Sequence, residues 1–363
     1  MGPLPFAIVG TGWRARFYLR VAAALPDRFR AVAIVSRDPG NADPAVRRWD
    51  VPVVASLDAL AGLRPRFVVA AVPWVATPAL LDELVERRLP VLCETPPAPD
   101  LDGLEALGRF RAGATPIQVA EQYRFQPMHA ARLAVAASGR LGTITQAQVS
   151  VAHAYHGIDL LRRFLGAGLE VPAISARHFR APIVAGPDRS GPPTGERIVT
   201  SEQVIAFFDF GARLGVLDFA DEQYFSWIRS QRVLVRGERG EINDARVRWL
   251  LDAQHPVTVD LVRHDRGRDG NLEGLFHAGI TLGDAWVYAN PFAPASLDDD
   301  ELAVASCLAG MAEHLEGGPD VCSLTEAAHD HYLGLWMERA AVLGETVRPG
   351  GLSWIAPARR SGA

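Results

Sequence analysis

Two groups of side chains in this sequence are spaced for chemistry. The first is Gly10-Thr11-Gly12-Trp13-Arg14-Ala15, which follows the apolar run Phe6 to Val9 and fits the pattern G-x-G-x-x-A. At a strand-to-helix turn the first glycine permits the tight bend, and the second lets backbone N–H groups approach a pyrophosphate. The small third residue lets helix and strand pack closely. A purely structural glycine turn is the other reading; the motif's place at the first junction of a βα array favours a dinucleotide site. Where an acidic residue at the end of the second strand would take both ribose hydroxyls of NAD, the chain has Ser36-Arg37. An arginine there can hold a 2′-phosphate, so NADP is the expected cofactor. NAD stays open if Asp38 serves the ribose and Arg37 is a surface charge.

The second group centres on His156. The stretch Ala154 to Leu165 reads as a helix, which sets Asp159 at i+3 on the same face as His156 and within reach of its imidazole. A histidine oriented by a carboxylate can give or take the proton that accompanies a hydride near neutral pH. The competing reading is a core or surface histidine satisfied by Asp159. Tyr155, His153 and Tyr123 are supporting candidates. His153 and His156 have the spacing of a metal pair, but no third ligand stands in sequence context, so no metal is expected. Glu94 and Pro96 close the fifth strand at the carboxyl edge, where open α/β sheets bind ligands. Glu94 reads either as a pocket carboxylate or as a buried group capping the next turn. Arg124 reads either as a clamp for an anionic substrate or as one half of a salt bridge.

Composition narrows what these groups can do. The chain has 363 residues, 48% hydrophobic and 22% charged, with a net charge of -5. That length suggests two domains, each with a sizeable core, and the mild acidity argues against a nucleic-acid binder. All 37 basic residues are arginine, so no lysine Schiff base or lysine acid–base group can operate. Cys93, Cys307 and Cys322 form no C-x-x-C pair, which points to a reduced, cytoplasmic setting. No basic segment precedes Phe6, so no signal peptide is expected. The longest apolar stretch, Phe67 to Leu81, is interrupted by Pro73 and Pro78, and no membrane span is expected.

The elements that must position these groups fall into two halves. Residues 6–9, 30–36, 53–55, 67–72, 91–94 and 117–121 read as strands alternating with helices, a doubly wound parallel sheet. Thr77-Pro78 reads as an N-cap followed by proline, and Asp100 as the cap of a helical segment ending near Gly113. Beyond residue 122 a helix at about 127–138 leads to alternating stretches at 143–152, 173–180, 202–209, 213–219, 225–236, 245–252 and 257–264, which suit an antiparallel sheet with one covered face. Two helices follow, one after Ser296 with an acidic first turn (Asp298 to Glu301), the other opening on the capping box Ser323 to Glu326. Residues 185–195 and 264–271 read as loops. Phe207, Phe208, Phe210, Phe219, Tyr224, Phe225 and Trp227 read as sheet core or an oligomer face. The expected fold is α/β: a Rossmann domain over 1–122, an α+β substrate and oligomerisation domain with a large, mainly antiparallel sheet over 123–348, and a frayed tail over 349–363.

In order and spacing, several segments together resemble the glucose-fructose oxidoreductase, inositol dehydrogenase and rhizopine-catabolism (Gfo/Idh/MocA) family. They are Gly10 to Ala15, Ala71-Val72-Pro73-Trp74, Val91 to Pro96, Tyr123 to Pro127, Ser138 to Gly142, His156 to Asp159, Arg236 to Gly240 and Glu326-Ala327. The resemblance implies hydride transfer between NAD(P) and a sugar, polyol or similar carbonyl compound. It implies cofactor contacts from Val72, Pro73, Trp74, Glu94 and Thr95, substrate contacts from Glu94, Tyr123, Arg124 and His156, and a homo-dimer or homo-tetramer built through the C-terminal sheet. Thr95 stands where the family has an acid–base lysine, and Ala152 where it commonly has an aspartate. An enzyme with internally recycled cofactor, of the glycosidase or epimerase type, and a non-catalytic NAD(P)-binding regulator are therefore kept as alternatives.

Overall fold

The computed structural model describes residues 2–355, which form two compact units. The first contains the chain up to Ala130 together with Arg263–Ile280 and Tyr288–Ala328; the second contains Ala131–Val262, Thr281–Val287 and the chain from His329 onward. This differs from a single boundary at residue 122. The reason lies in the core of the first unit, where Tyr18, Leu19 and Val21 are buried in one cluster with Phe292, Leu302, Ala305 and Leu308. A segment distant in sequence is thus required to cover the early helix.

In chain order the elements of the N-terminal part are β1 (Leu4–Val9), α1 (Ala15–Ala24), β2 (Phe29–Val35), α2 (Pro44–Arg47), β3 (Val53–Val54), β4 (Phe67–Ala70), α3 (Thr77–Glu86), β5 (Val91–Cys93), α4 (Leu101–Ala106), β6 (Ile117–Val119) and α5 (Pro127–Ala137). The sheet has the order β3-β2-β1-β4-β5-β6 with every pair parallel. All four residues of β4 and all three of β5 are buried, the continuous apolar run that a strand covered on both faces requires. In register, Val9 pairs with Val35 and Ala70, Ala70 with Cys93, and Cys93 with Val119. Gly10, Ser36, Ala71, Glu94 and Ala120 therefore lie in a row just beyond the strand ends. Asp100 caps α4 by accepting from the Gly103 N–H at 2.8 Å, but α4 stops at Ala106 and continues only as a 3₁₀ turn over Leu107–Phe110. Thr77 is not a cap: it is the first residue inside α3, with Pro78 second and no side-chain capping bond.

The remaining elements are β7 (Ile144–Ser150), α6 (Ala154–Leu165), β8 (Ala173–Val184), β9 (Ile198–Asp209), β10 (Leu214–Ala220), β11 (Arg232–Gly237), β12 (Gly240–Asn243), β13 (Arg246–Leu250), β14 (Pro256–Gly267), β15 (Leu275–Leu282), β16 (Ala285–Ala289), α7 (Asp299–His314) and α8 (Leu324–Leu343). Strands β7 to β16 make a ten-stranded sheet in the order β16-β15-β14-β13-β12-β11-β7-β10-β9-β8. It is mixed, since β7 and β10 run parallel while β11 runs against β7 and β9 against β10. Helix α6 lies close on this sheet: a Cβ on Gly157 would overlap the Leu217 side chain, and one on Gly215 would overlap Leu161.

Several expectations beyond residue 122 are corrected. The stretch 225–231 is not strand, because the Ser226 hydroxyl accepts from the N–H groups of Ile228 and Arg229 and turns the chain before β11. Residues 264–267 continue β14 rather than opening a loop. Strands β12, β15 and β16 are additional to the expected stretches, the first being four residues long and β15 carrying Gly279 inside it. In α7, Asp298 is the cap, in a reciprocal box with Glu301; Ser323 and Glu326 form the expected box at α8. The tail is anchored as far as it is described: Leu352 is buried and the Gly351 N–H donates to the Tyr332 hydroxyl at 3.0 Å. Residues 356–363 of the expected tail lie outside the described residues.

Candidate active site

In the first unit the glycine-rich turn leaves β1 and enters α1. Gly10 has φ 112°, and a Cβ there would overlap the Ala71 carbonyl oxygen, so only glycine fits between the two strand ends. A Cβ on Gly12 would meet nothing within 4 Å, so the backbone at this point faces open space. Ala15 is fully buried as the small residue at the helix–strand contact. Thr11 is half-buried, and Trp13 stacks edge-on against Phe17 with centroids 4.7 Å apart. Val72 is half-buried, Pro73 and Trp74 are exposed beyond β4, and Thr95 is half-buried beyond β5.

Arg14 is turned inward and donates from Nε to Glu94 Oε1 at 2.8 Å, while the Tyr18 hydroxyl donates to the same carboxylate oxygen. Glu94 thus serves α1, not a cap of the turn that follows it. Burial alone would lower the Arg14 pKa; Glu94 and Tyr18 outweigh it and raise it. Burial and the Glu94 charge push the Tyr18 phenol well above its ordinary range. Arg14 Nη2 is buried with no hydrogen-bond partner. Nearby in this unit, burial pushes the Glu121 carboxyl up to about 7 against the opposing charge of Arg124. Arg124 is itself buried and donates from Nη1 to the Val321 carbonyl at 3.1 Å; Tyr123 is buried and its N–H donates to Glu121 Oε1 at 3.2 Å.

At the ribose end of the turn, Ser36 Oγ donates to the Asp38 carbonyl at 3.2 Å, and the Asp38 carboxylate accepts from the Asn41 N–H at 3.2 Å. Arg37 is exposed, with no hydrogen bond or ion pair among the described residues. The open backbone at Gly12 leaves room for a pyrophosphate beside the turn.

The second unit holds the residues at the start of α6. His156, Tyr155 and Asp159 are buried there. Asp159 Oδ1 accepts from Arg163 Nε at 3.0 Å, a bond one turn further along the helix. What gathers around His156 is aromatic: Tyr155 at 4.5 Å and His153 at 5.3 Å between ring centroids, with His331 of α8 at 5.4 Å from Tyr155. His153 Nε2 lies 3.1 Å from the Tyr155 hydroxyl, and its Nδ1 is bonded to the Tyr224 hydroxyl. Burial, with help from His156, pushes His153 down to about 4, so its imidazole is neutral. Between His153 and Tyr155, Ala154 carries a φ of 33°, a conformation L residues rarely adopt, against Gly334 of α8.

Tyr18, Glu121, Tyr224 and His331 were not among the residues singled out for the site from sequence. Tyr224 had been assigned with its neighbours to sheet core or an oligomer face. Of those, Phe208 and Phe219 are buried, whereas Phe207, Phe225 and Trp227 are exposed. Among the described residues no three His, Cys, Asp or Glu side chains gather as metal ligands, the three cysteines are buried and form no disulfide, and no helix is long and apolar enough to cross a membrane.

Residues 4–114 match the model of the oxidoreductase family with NAD-binding Rossmann fold. A myo-inositol dehydrogenase of Streptomyces leeuwenhoekii is 31% identical over 140 residues, 38% of this chain and 42% of that protein, so the alignment spans less than half of the relative. Solved structures share the fold at low identity. An oxidoreductase from Agrobacterium radiobacter, in complex with NAD+, L-tartaric acid and magnesium, aligns with TM-score 0.66 and 17% identity over 95% of this chain and 98% of its own. A levoglucosan dehydrogenase, in complex with NADH and levoglucosan, aligns with TM-score 0.68 and 16% identity over 95% and 99%. Residues 4–114, which carry the Gly10 turn at the end of β1 and five strands of the parallel sheet, match the NAD-binding Rossmann fold of the Gfo/Idh/MocA oxidoreductase family.

Proposed function

We propose that this protein is an NAD(P)-dependent oxidoreductase that moves a hydride to or from a sugar-like, polyol or other small carbonyl substrate. The observation that carries the reading is the turn at Gly10, closed tightly on Ala71 while Gly12 faces open space. When bound, the cofactor supplies or accepts the hydride. Gly10 to Ala15, Ser36 and Arg37 hold it, with Val72 to Trp74, Glu94 and Thr95 beside them. NADP is favoured over NAD because the Asp38 carboxylate is occupied at Asn41 while Arg37 stands exposed and unengaged. The myo-inositol and levoglucosan dehydrogenases among the similar proteins support the substrate class.

The first unit takes the nucleotide and the second handles the proton. Thr95 cannot ionise usefully near neutral pH, so His156 is the acid–base group, with Tyr155 packed on it and Asp159 on the same helix. Glu94, Tyr123 and Arg124 remain the substrate-side candidates of the first unit. The absence of lysine favours one second reading, an enzyme whose cofactor is reduced and reoxidised within a turnover. Exposed Phe179, Phe207 and Trp286 on the ten-stranded sheet suit a homo-oligomer, and three buried thiols suit a reducing, cytoplasmic setting.

The test replaces Arg37 with Ala and titrates NADPH and NADH into both proteins. NADPH binding should weaken far more than NADH binding; equal losses overturn the NADP assignment. A screen of polyols and sugars at 340 nm tests turnover. Protein that arrives with bound nucleotide, and converts a substrate without net absorbance change, establishes the recycled-cofactor reading instead.

A further inference from the structure

The hydrogen bonds at the start of α6 form a chain through His153. The His153 backbone N–H donates to the Tyr224 hydroxyl oxygen at 3.1 Å, and the same hydroxyl is bonded to His153 Nδ1. The hydroxyl oxygen can take that N–H on one lone pair and give its own hydrogen to Nδ1, which sets one tautomer of the imidazole. In that tautomer Nε2 carries the proton and donates to the Tyr155 hydroxyl, 3.1 Å away. Both links run from Tyr224 towards Tyr155.

The two ends of this chain differ in their surroundings. Tyr155 is 5% exposed and packs ring to ring with His156 at 4.5 Å. Tyr224 is half-buried at the end of a 3₁₀ turn, Asp221–Tyr224, and the next residues, Phe225, Trp227 and Ile228, are exposed. The groups that bear on His153 electrostatically are His156, His331 and Arg189, which disfavour a charged ring, and Asp221, which favours one. Burial, more than the balance of these charges, leaves an uncharged ring, able to accept a proton at one nitrogen while releasing one from the other.

We propose that His153 is a proton relay between Tyr224 and Tyr155, restoring from the half-exposed end a proton that the buried Tyr155–His156 pair has given up. This rests on the reading of His156 as the acid–base group. In the step, the Tyr155 O–H bond breaks as its proton leaves towards His156, and a new O–H bond forms with the proton from His153 Nε2. The Tyr224 proton moves to Nδ1, and water reprotonates Tyr224. No electrons change hands. The ring ends as the Nδ1–H tautomer, and exchange of its proton with water through Tyr224 and Tyr155, or reorientation of the ring, restores the Nε2–H form before the next inward transfer.

The test is NMR on the full chain labelled with ¹⁵N-histidine, which needs no substrate. His153 should show a protonated Nε2 and an acceptor Nδ1, and Tyr224→Phe should slow exchange of the Nε2 proton with water by about tenfold or more, since it removes only the hydroxyl that carries the proton. The Phe ring keeps its place against Phe219, 4.9 Å away in the native protein. An Nδ1–H tautomer in the wild-type protein overturns the relay, as does exchange that is unchanged or faster in the variant. With a polyol substrate in hand, Tyr224→Phe should lower steady-state kcat by about tenfold, with rescue by added imidazole and an unchanged first-turnover hydride step. Loss of the first turnover itself would mark a structural role and overturn the proposal. Slowed exchange without turnover of any substrate supports the relay and removes the oxidoreductase reading instead.

Discussion

In the first unit, buried ionisable groups stand against opposite charges: Arg14 donates to Glu94, and Glu121 lies under the charge of Arg124. In the second unit, the ion pair Arg162–Asp330 is buried too, but His153 and His329 are held uncharged among hydroxyl and carbonyl oxygens. The first arrangement fixes charge beside the place where a charged ligand is proposed to bind. The second keeps protons movable. A fixed ion pair is a poor proton carrier because moving its proton leaves two unfavourable neutral groups, whereas a neutral imidazole between phenols changes only its tautomer.

The largest expected effect separates the two units by what they lose. Replacing His156 with Ala should lower kcat by ~10²–10⁴-fold while nucleotide affinity stays nearly unchanged, and Thr95→Ala should cost far less. Gly10→Ala should do the reverse, since its Cβ meets the Ala71 carbonyl and the turn must move: nucleotide binding should fail first. Isothermal titration beside steady-state kinetics checks both. Near wild-type turnover in the His156 variant on a verified substrate would show that the proton travels by another group.

A second effect breaks the charge pairing of the first unit. Glu94→Gln leaves Arg14 charged with one Nη2 already unpartnered, and urea unfolding should show a loss of about 3 kcal/mol, the low end for a pair with some solvent access. Tyr18→Phe, which removes one donor to the same carboxylate, should cost about 1 kcal/mol. Equal costs would mean that the hydroxyl, not the guanidinium, satisfies Glu94.

The units also differ in how much of them could be read from the sequence. The Rossmann unit was legible because its signals are local: β-branched runs between helix-length segments, a glycine motif within six residues, and Asp100 three residues before the N–H it caps. The strands of the second sheet that alternate cleanly were legible for the same reason. The short β12 and the glycine-bearing β15 were not, since three or four residues carry too little periodicity. Nothing local marks Tyr224 as a partner of His153, 71 residues away; that neighbourhood exists only because β10 and the turn after it return alongside β7. For Asp159 helical spacing offers two neighbours, His156 at i−3 and Arg163 at i+4, and the second gives it a charge-assisted bond.

The smallest effect concerns pH, where the two units should respond with opposite sign. His153 titrates at about 4 in the folded protein against 6.5 for the free side chain, and His329, buried beside Arg162, at about 3. Below pH 6.5 the unfolded chain takes up protons that these folded imidazoles refuse, so their contribution is full above 6.5 and is lost as pH falls towards 4 and 3. For His153 the loss is about 2–3 kcal/mol, discounted for its partial exposure. Glu121, raised by burial to about 7 from 4.5, works the other way: the folded protein holds a proton that the unfolded chain has released, so its contribution is full below 4.5 and is lost as pH rises through 7. Between pH 4.5 and 6.5 the two partly cancel. Hydrogen exchange resolved by residue, read under mild urea across that window, should therefore show the second unit opening as pH falls while the first unit tightens. His153→Gln should flatten the acid loss of the second unit, and Glu121→Gln should flatten the response of the first. If both units weaken in parallel on acidification, and neither variant changes the slope, the buried imidazoles and the buried carboxyl are not what sets the pH dependence.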